Sequence, residues 1–185
     1  TSGAATRKPG SAQRRGRRAG RLGFIAGRGR SGTGAVTAPS ALAAPSTLSA
    51  SGPEGAYAVL GNASSYRSIV DLEGVSEEGG MALLRSATSL GWPPKAFSRG
   101  FDPATFEGLL QLGELWTHQK AGAMEKIASM GTMVVHHLES IPEQLRSAFR
   151  ARQTERGTLF DFILATEDGD LVAELREVQF DAPGA

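Results

Sequence analysis

The stretch that decides the fold is residues 101–120, FDPATFEGLLQLGELWTHQK. It opens with Asp102-Pro103: an aspartate accepts hydrogen bonds from the free backbone N–H groups at a helix start, and proline suits the first helical position. Apolar side chains then recur at helix-compatible spacing. They are Phe106, Leu109, Leu110, Leu112, Leu115 and Trp116. The sequence therefore predicts one long helix, from Asp102 to about Lys120.

Two glycines interrupt this helix, Gly108 and Gly113. Glycine weakens a helix interior, so its presence there favours a site that another group approaches closely. We expect a neighbouring backbone or a ligand to pass near the helix at these positions.

Extended segments lie on both sides of the helix. Upstream, residues 66–76 and 81–87 predict two strands joined by a turn at 77–80. Downstream, strands are predicted at 132–138, 148–155, 158–166 and 171–180, with a hairpin at Asp168-Gly169. Strand, strand, helix and then three or more strands is an α+β order. It is the layout of a single hot-dog fold, an antiparallel sheet wrapped around one long central helix.

The N-terminal part of the chain differs from the rest in composition. Residues 1–50 hold nine Lys or Arg and no acid, whereas residues 51–185 hold 11 basic against 19 acidic residues, a net charge of −8. A segment dominated by Gly, Ala, Ser, Pro and Arg buries too little apolar surface to offset the entropy of ordering it. We predict a disordered tail or linker over residues 1–55 and a hot-dog domain over 56–182.

Several classes of function are excluded or disfavoured. The chain has no cysteine, so it has no disulfide, zinc–thiolate site or thiol nucleophile, which fits a reducing, cytoplasmic compartment. No apolar run approaches the roughly 18–20 residues of a membrane span. The arginines of residues 14–18 either bind phosphate or are solvated, and no aromatic residues interleave with them, which argues against a nucleic-acid partner. Because the chain begins with Thr1, we expect a piece of a longer protein.

Residues 101–112, FDPATFEGLLQL, resemble the central helix of the second hot dog in the dehydratase domains of polyketide and polyunsaturated-fatty-acid synthases. The family pattern there is an aspartate followed four residues later by glutamine or histidine, in the context DPA..DG.LQL. Gly108, Leu110, Gln111 and Leu112 match it, and Glu107 stands at the position of the aspartate. Residues 66–79, 91–93 and 157–180 resemble further parts in the same order, so the resemblance covers about 57–180.

The resemblance implies loss of water from a 3-hydroxyacyl thioester on an acyl carrier protein. In the family, a histidine of the first hot dog in an HxxxGxxxxP motif removes the α-proton, and the acid of the second half helps the hydroxyl leave. No such motif occurs here. The chain is therefore expected to need a first hot dog or a homodimer partner and to be inactive alone, so whether it is an enzyme stays open. The alternative is a free-standing homodimeric thioesterase or hydratase that uses Glu107 as base or nucleophile.

Glu107 and Gln111 are the candidate catalytic residues. At positions i and i+4 they share a helix face. An apolar tunnel favours the neutral form of a carboxyl group, which an acid catalyst requires, and a neighbouring glutamine can orient it. Glutamate is one methylene longer than aspartate, and a displacement of about 1 Å can cost on the order of a hundredfold in rate. The other interpretation is an ordinary surface or interface glutamate.

The remaining polar candidates favour no metal or cofactor. His136 and His137 are neighbours on a predicted strand, so they face opposite sides and cannot share a metal, and His118 lies near the helix end. Asp161 alternates with phenylalanines and is predicted to face solvent. Four arginines in and around the predicted strand at 148–155 either form a basic patch for an acidic carrier protein or are ordinary exposed strand residues. They are Arg146, Arg150, Arg152 and Arg156.

Overall fold

Six strands form one antiparallel sheet in the computed structural model, which describes residues 47–61, 66–93, 102–136 and 140–184. The elements in chain order are α1 (Thr47–Leu60), β1 (Ile69–Val75), β2 (Gly79–Arg85), α2 (Pro103–Ala121), β3 (Lys126–Val135), β4 (Gln144–Thr154), β5 (Gly157–Ala165) and β6 (Leu171–Asp181). The strand order across the sheet is β1-β2-β4-β5-β6-β3. The predicted tail up to residue 46 lies outside the described residues, and so does His137.

Helix α2 confirms the long helix predicted from the sequence. A side-chain oxygen of Asp102 accepts the Thr105 N–H at 2.9 Å, and Pro103 is the first helical residue. At the other end, Gly122 adopts a left-handed conformation with φ 71°, and its N–H donates to the His118 carbonyl at 2.8 Å. Both ends are therefore capped, and the cap at Asp102 is the one predicted from the sequence. The buried face carries Leu109, Leu112, Leu115 and Trp116.

Other side chains pack closely against α2 at its two glycines. A Cβ at Gly108 would lie 2.5 Å from Oγ of Ser68, and one at Gly113 would lie 2.7 Å from Cζ of Phe180. The predicted close approach is thus confirmed, but the approaching groups are side chains rather than a backbone or a ligand.

Four phenylalanines fill the space between the sheet and α2. Strand alternation puts Phe149, Phe160, Phe162 and Phe180 on the face towards the helix, and each is at most 2% exposed. Phe160 packs at 5.5 Å against Phe162 and at 4.9 Å against Phe180, measured between ring centroids. Full burial of one such side chain contributes about 1.5–3 kcal/mol, so this cluster is a main source of stability.

Helix α1 corrects the sequence analysis, which predicts only one long helix and places the linker before residue 56. The helix kinks at Gly52 (φ 63°, ψ −169°), and Pro53 begins its second half. Ala56 and Tyr57 are 0% and 3% exposed and belong to the main core. The kink divides α1 into two short pieces, and neither carries a long apolar repeat that would predict a helix.

Strand β3 differs most from its predicted position. It covers Lys126–Val135, whereas the sequence predicts 132–138. It lies at the sheet edge, beside β6 only, and nine of its ten residues are exposed. An edge strand without a buried face lacks the alternation of apolar and polar residues by which strands are found in a sequence. Strand β4 likewise begins at Gln144, four residues earlier than predicted.

Asp161 has a structural role that its predicted solvent-facing position does not suggest. Its side chain is 18% exposed and accepts hydrogen bonds from Arg152 at 3.0 Å and from the backbone N–H of Glu177 at 2.9 Å. Glu177 has φ 56° and lies where the pairing between β5 and β6 shifts register. Asp161 therefore holds a bulge of β6 in place.

Candidate active site

Helix α2 brings the two candidate catalytic side chains together. Nε2 of Gln111 donates to Oε1 of Glu107 at 3.2 Å, one helical turn away. Gln111 is 1% exposed, whereas Glu107 is partly exposed. The pair therefore consists of a buried amide and a carboxyl group at the boundary of the core, as the spacing of the two residues predicts.

The buried amide of Gln111 is held by two further contacts. Its Nε2 donates to the backbone carbonyl of Tyr66 at 2.9 Å. The hydroxyl of Tyr57 donates to Oε1 of Gln111 at 3.3 Å and accepts the backbone N–H of Ile69 at 2.6 Å. Sequence reasoning missed Tyr57 because it lies on α1, 54 residues before Gln111.

The Tyr57 hydroxyl is a neutral donor in this network. Burial raises the pKa of Tyr57 above its ordinary value of 10, and the hydrogen bond from the Ile69 N–H opposes this shift only in part. The guanidinium of Arg67 lies 5.2 Å from the centroid of the Tyr57 ring and also opposes the shift. At neutral pH the hydroxyl therefore keeps its proton for Gln111.

An apolar groove opens between α2 and the β3–β6 edge of the sheet. Its cavity volume is only about 20 Å³, so it is a shallow groove open to solvent. Its walls include Phe106 and Leu109 of α2 and Met133 and Val135 of β3. Glu107 is not among its lining residues. This groove is therefore not an apolar tunnel that the Glu107 carboxyl group faces.

Asp102 is the only acidic residue lining this groove, and its carboxylate is already engaged. One oxygen accepts the Ala87 N–H at 2.9 Å, and the other accepts the Thr105 N–H at the same distance. Asp102 is 6% exposed. Its contacts make it a helix cap that also fixes the end of β2, rather than a group free to react.

The two described histidines, His118 and His136, lie on parts of the chain other than the helical turn that carries Glu107. His118 is eleven residues further along α2, about 16 Å at the rise of a helix. His136 follows β3 and contacts Oε1 of Glu174 at 3.2 Å. The hydrogen bond from Arg176 and then the one from His136 hold the pKa of Glu174 below its ordinary value of 4.5, although burial opposes them. Neither of these described histidines forms a hydrogen bond or an ion pair with Glu107.

The predicted basic patch is largely neutralised within the molecule. Arg146 contacts Glu73 at 3.3 Å, Arg152 contacts Asp161, and Arg156 contacts Asp181. Arg150 is exposed and forms no ion pair among the described residues. Arg150 and Arg152 do share a strand face, as the sequence predicts, but only Arg150 retains an unpaired charge.

Strand β3 presents an exposed apolar edge. Ile127, Met133, Val134 and Val135 are 36–42% exposed, and no described strand pairs with the outer side of β3. An unpaired row of backbone N–H and C=O groups next to apolar side chains is a template for another strand.

The described ranges contain neither a metal-binding cluster nor a membrane-spanning helix. No group of three or more His, Asp or Glu side chains is placed to hold a metal ion. No helix there has the length and apolar character needed to cross a membrane.

No protein-family model matches the chain, and no curated protein matches it in sequence. Among solved structures, the chain is similar to the dehydratase domain of RzxB from Pseudomonas fluorescens, with 18% identity and a TM-score of 0.57. The similarity covers 80% of this chain and 54% of that structure, so the chain spans about half the length of the RzxB domain.

Two further structures are more distant. An inactive mutant of the CurJ dehydratase, in complex with a compound, has 12% identity and a TM-score of 0.48 over 64% of this chain and 42% of that one. A protein from the thioesterase superfamily has 18% identity and a TM-score of 0.46 over 60% of this chain and 83% of that one. These two structures, with TM-scores below 0.5, are too distant to indicate a function or a fold for this chain. The strand order, the central helix and the match to the RzxB domain together show that the chain has a hot-dog fold.

Proposed function

We propose that the chain is a dehydratase-like half of a polyketide or polyunsaturated-fatty-acid synthase, equivalent to the second hot dog of such a domain. It acts on or near 3-hydroxyacyl thioesters carried by an acyl carrier protein. The observation that carries the proposal is the Glu107–Gln111 pair on the central helix of a hot dog, at the position of the family's acidic residue.

In this proposal Glu107 is the acid of the elimination. A base removes the α-proton of the 3-hydroxyacyl thioester, the C–O bond breaks, and the Glu107 carboxyl group gives its proton to the departing hydroxyl, which leaves as water. The electron pair of the C–H bond becomes the new double bond. The base comes from another hot dog, because this chain lacks the HxxxGxxxxP motif that supplies the histidine in the family.

The exposed edge of β3 supports the need for a partner. Pairing with a strand of another hot dog covers the unpaired backbone groups and the apolar side chains of β3 together. It also closes the apolar groove, because Met133 and Val135 of β3 form one of its walls. The partner is therefore a first hot dog or a second copy of this chain.

A second candidate function follows from the same edge. Two copies of the chain paired through β3 form a self-contained homodimer, in which Glu107 acts as general base or nucleophile of a thioesterase or hydratase. This alternative needs no histidine. It differs from the first proposal because the chain alone is active.

The decisive experiment is mass spectrometry of a 3-hydroxyacyl carrier protein incubated with the chain. We compare the chain alone with a fusion in which a hot dog that carries the HxxxGxxxxP motif precedes the full chain. Each protein is also tested as Glu107→Gln and as Glu114→Gln. The second variant is a matched control because Glu114 lies on the same helix and only pairs with Lys126 at the surface.

We expect the chain alone to leave the substrate mass unchanged and the fusion to remove one water, with Glu107→Gln abolishing the reaction and Glu114→Gln leaving it intact. Release of the acyl group or loss of water by the chain alone, abolished by Glu107→Gln, establishes the homodimeric alternative. A reaction of the fusion that persists in Glu107→Gln contradicts both functions.

A further inference from the structure

The orientation of the Gln111 amide is fixed from both of its ends. The Tyr66 carbonyl can only accept a hydrogen bond, and it lies 2.9 Å from Nε2 of Gln111. The Ile69 N–H can only donate, and it lies 2.6 Å from the Tyr57 hydroxyl oxygen. The hydroxyl proton of Tyr57 is then directed to Oε1 of Gln111, 3.3 Å away. Both ends require the same orientation of the amide.

With the amide held in this way, its second N–H faces Glu107. Nε2 of Gln111 lies 3.2 Å from Oε1 of Glu107, so this carboxyl oxygen is an acceptor. When Glu107 is protonated, the proton is on Oε2. We infer that Tyr57 is a positioning residue that acts through Gln111 and fixes which oxygen of Glu107 carries the acid proton. This inference rests on the proposed function, because it concerns Glu107 as an acid.

Tyr57 is well placed for this role. It is 3% exposed, and its raised pKa keeps the hydroxyl protonated. A phenylalanine at position 57 fills the same volume, but it leaves the Ile69 N–H and Oε1 of Gln111 without their partner. The amide is then held only at its nitrogen, by the Tyr66 carbonyl and Glu107, so it rotates more easily, and rotation turns its oxygen towards Glu107.

The first test is Tyr57→Phe in the fusion that carries the first hot dog. Loss of one neutral hydrogen bond predicts a fall in kcat of about five- to tenfold, with KM unchanged. Val59→Ala is the matched control: Val59 is on the same helix and packs against the core, but no hydrogen bond joins it to Gln111. A kcat for Tyr57→Phe equal to that of Val59→Ala overturns the inference.

A double-mutant cycle tests whether Tyr57 acts through Gln111. Gln111→Leu removes the amide, so adding Tyr57→Phe to it is expected to cause no further fall in kcat. If the two substitutions instead multiply their effects on kcat, Tyr57 does not act through Gln111 and the inference is wrong.

The third measurement does not depend on activity. In proton–nitrogen NMR spectra of the full chain, Tyr57→Phe is expected to shift the Gln111 side-chain amide resonances and to speed exchange of their protons. Val59→Ala is expected to leave both unchanged. Unchanged Gln111 resonances in Tyr57→Phe overturn the inference whatever the activity. The proposed function is tested by a different experiment: dehydration that persists in the Glu107→Gln fusion overturns that function, whatever the Gln111 resonances show.

Discussion

At position 113 a missing Cβ lets the ring of Phe180 lie directly against the backbone of α2. A Cβ there would meet three ring carbons of Phe180 at 2.7–3.2 Å. Phe180 is 0% exposed and packs against Phe160 at 4.9 Å, so its ring has little room to retreat. Interiors packed this densely respond to a single added methyl group.

We therefore expect Gly113→Ala to destabilise the chain. Overpacking costs about 1–3 kcal/mol, and the better helix propensity of alanine returns about 1 kcal/mol of it. Urea unfolding followed by circular dichroism measures the net loss. Glu114→Ala is the control, because it loses only an ion pair with Lys126. A midpoint for Gly113→Ala at or above that of the unmodified chain contradicts this account of the packing.

At the scale of elements, the sequence best predicts a helix or strand whose caps and apolar spacing lie within its own residues. Asp102-Pro103 and the apolar repeat that follows define α2 to within a residue or two. The Glu107–Gln111 contact follows from helical spacing alone. Helix α1 was not predictable in this way: Gly52 and Pro53 interrupt it, and its burial depends on surfaces that form only when the sheet folds. The hydrogen bond from Tyr57 to Gln111 was not predictable for the same reason, because it joins two helices that meet only in the folded protein.

The contacts between β6 and the end of β3 give the fold a dependence on pH. Hydrogen bonds from Arg176 and His136 hold the pKa of Glu174 below 4.5, its ordinary value. A carboxylate with a lowered pKa stabilises the folded state above its unfolded pKa, and this contribution is lost as pH falls through the folded pKa.

We thus expect the free energy of unfolding to fall as the pH drops below the ordinary glutamate pKa of 4.5 and through the lowered pKa of folded Glu174, and Glu174→Gln to reduce that fall. Urea titrations at several pH values measure it. Glu167→Gln, in the exposed turn before β6, is the control and is expected to keep the pH dependence of the unmodified chain. Equal pH dependence in the two variants would contradict the role of Glu174.

At the scale of the whole molecule, the two edge strands of the sheet, β1 and β3, have different surroundings. Strand β1 ends the sheet beside α1, whereas β3 ends it with exposed apolar side chains. The proposed function makes this edge the site of assembly. Two of the exposed residues of this edge, Met133 and Val135, also line the apolar groove.

We expect the chain alone to self-associate through β3, and Val134→Lys to prevent this, because a lysine on an edge strand opposes pairing with another strand. Sedimentation velocity at several concentrations measures the association. Glu155→Lys, in the exposed β4–β5 turn, adds the same side chain away from the edge. Loss of association in Glu155→Lys as well, or persistence in Val134→Lys, would place the contact elsewhere.

Under the proposed function, the hydrogen bond from α1 to the central helix also decides where such a unit can be joined to parts of synthases. The sheet begins at Ile69, and a junction placed just before it separates the Tyr57 hydroxyl from Gln111. The transplanted unit then keeps its sheet, its central helix and its carboxyl group, but an unrelated segment sets the angle of the amide. A transferable unit therefore starts before Thr47, well upstream of the first strand.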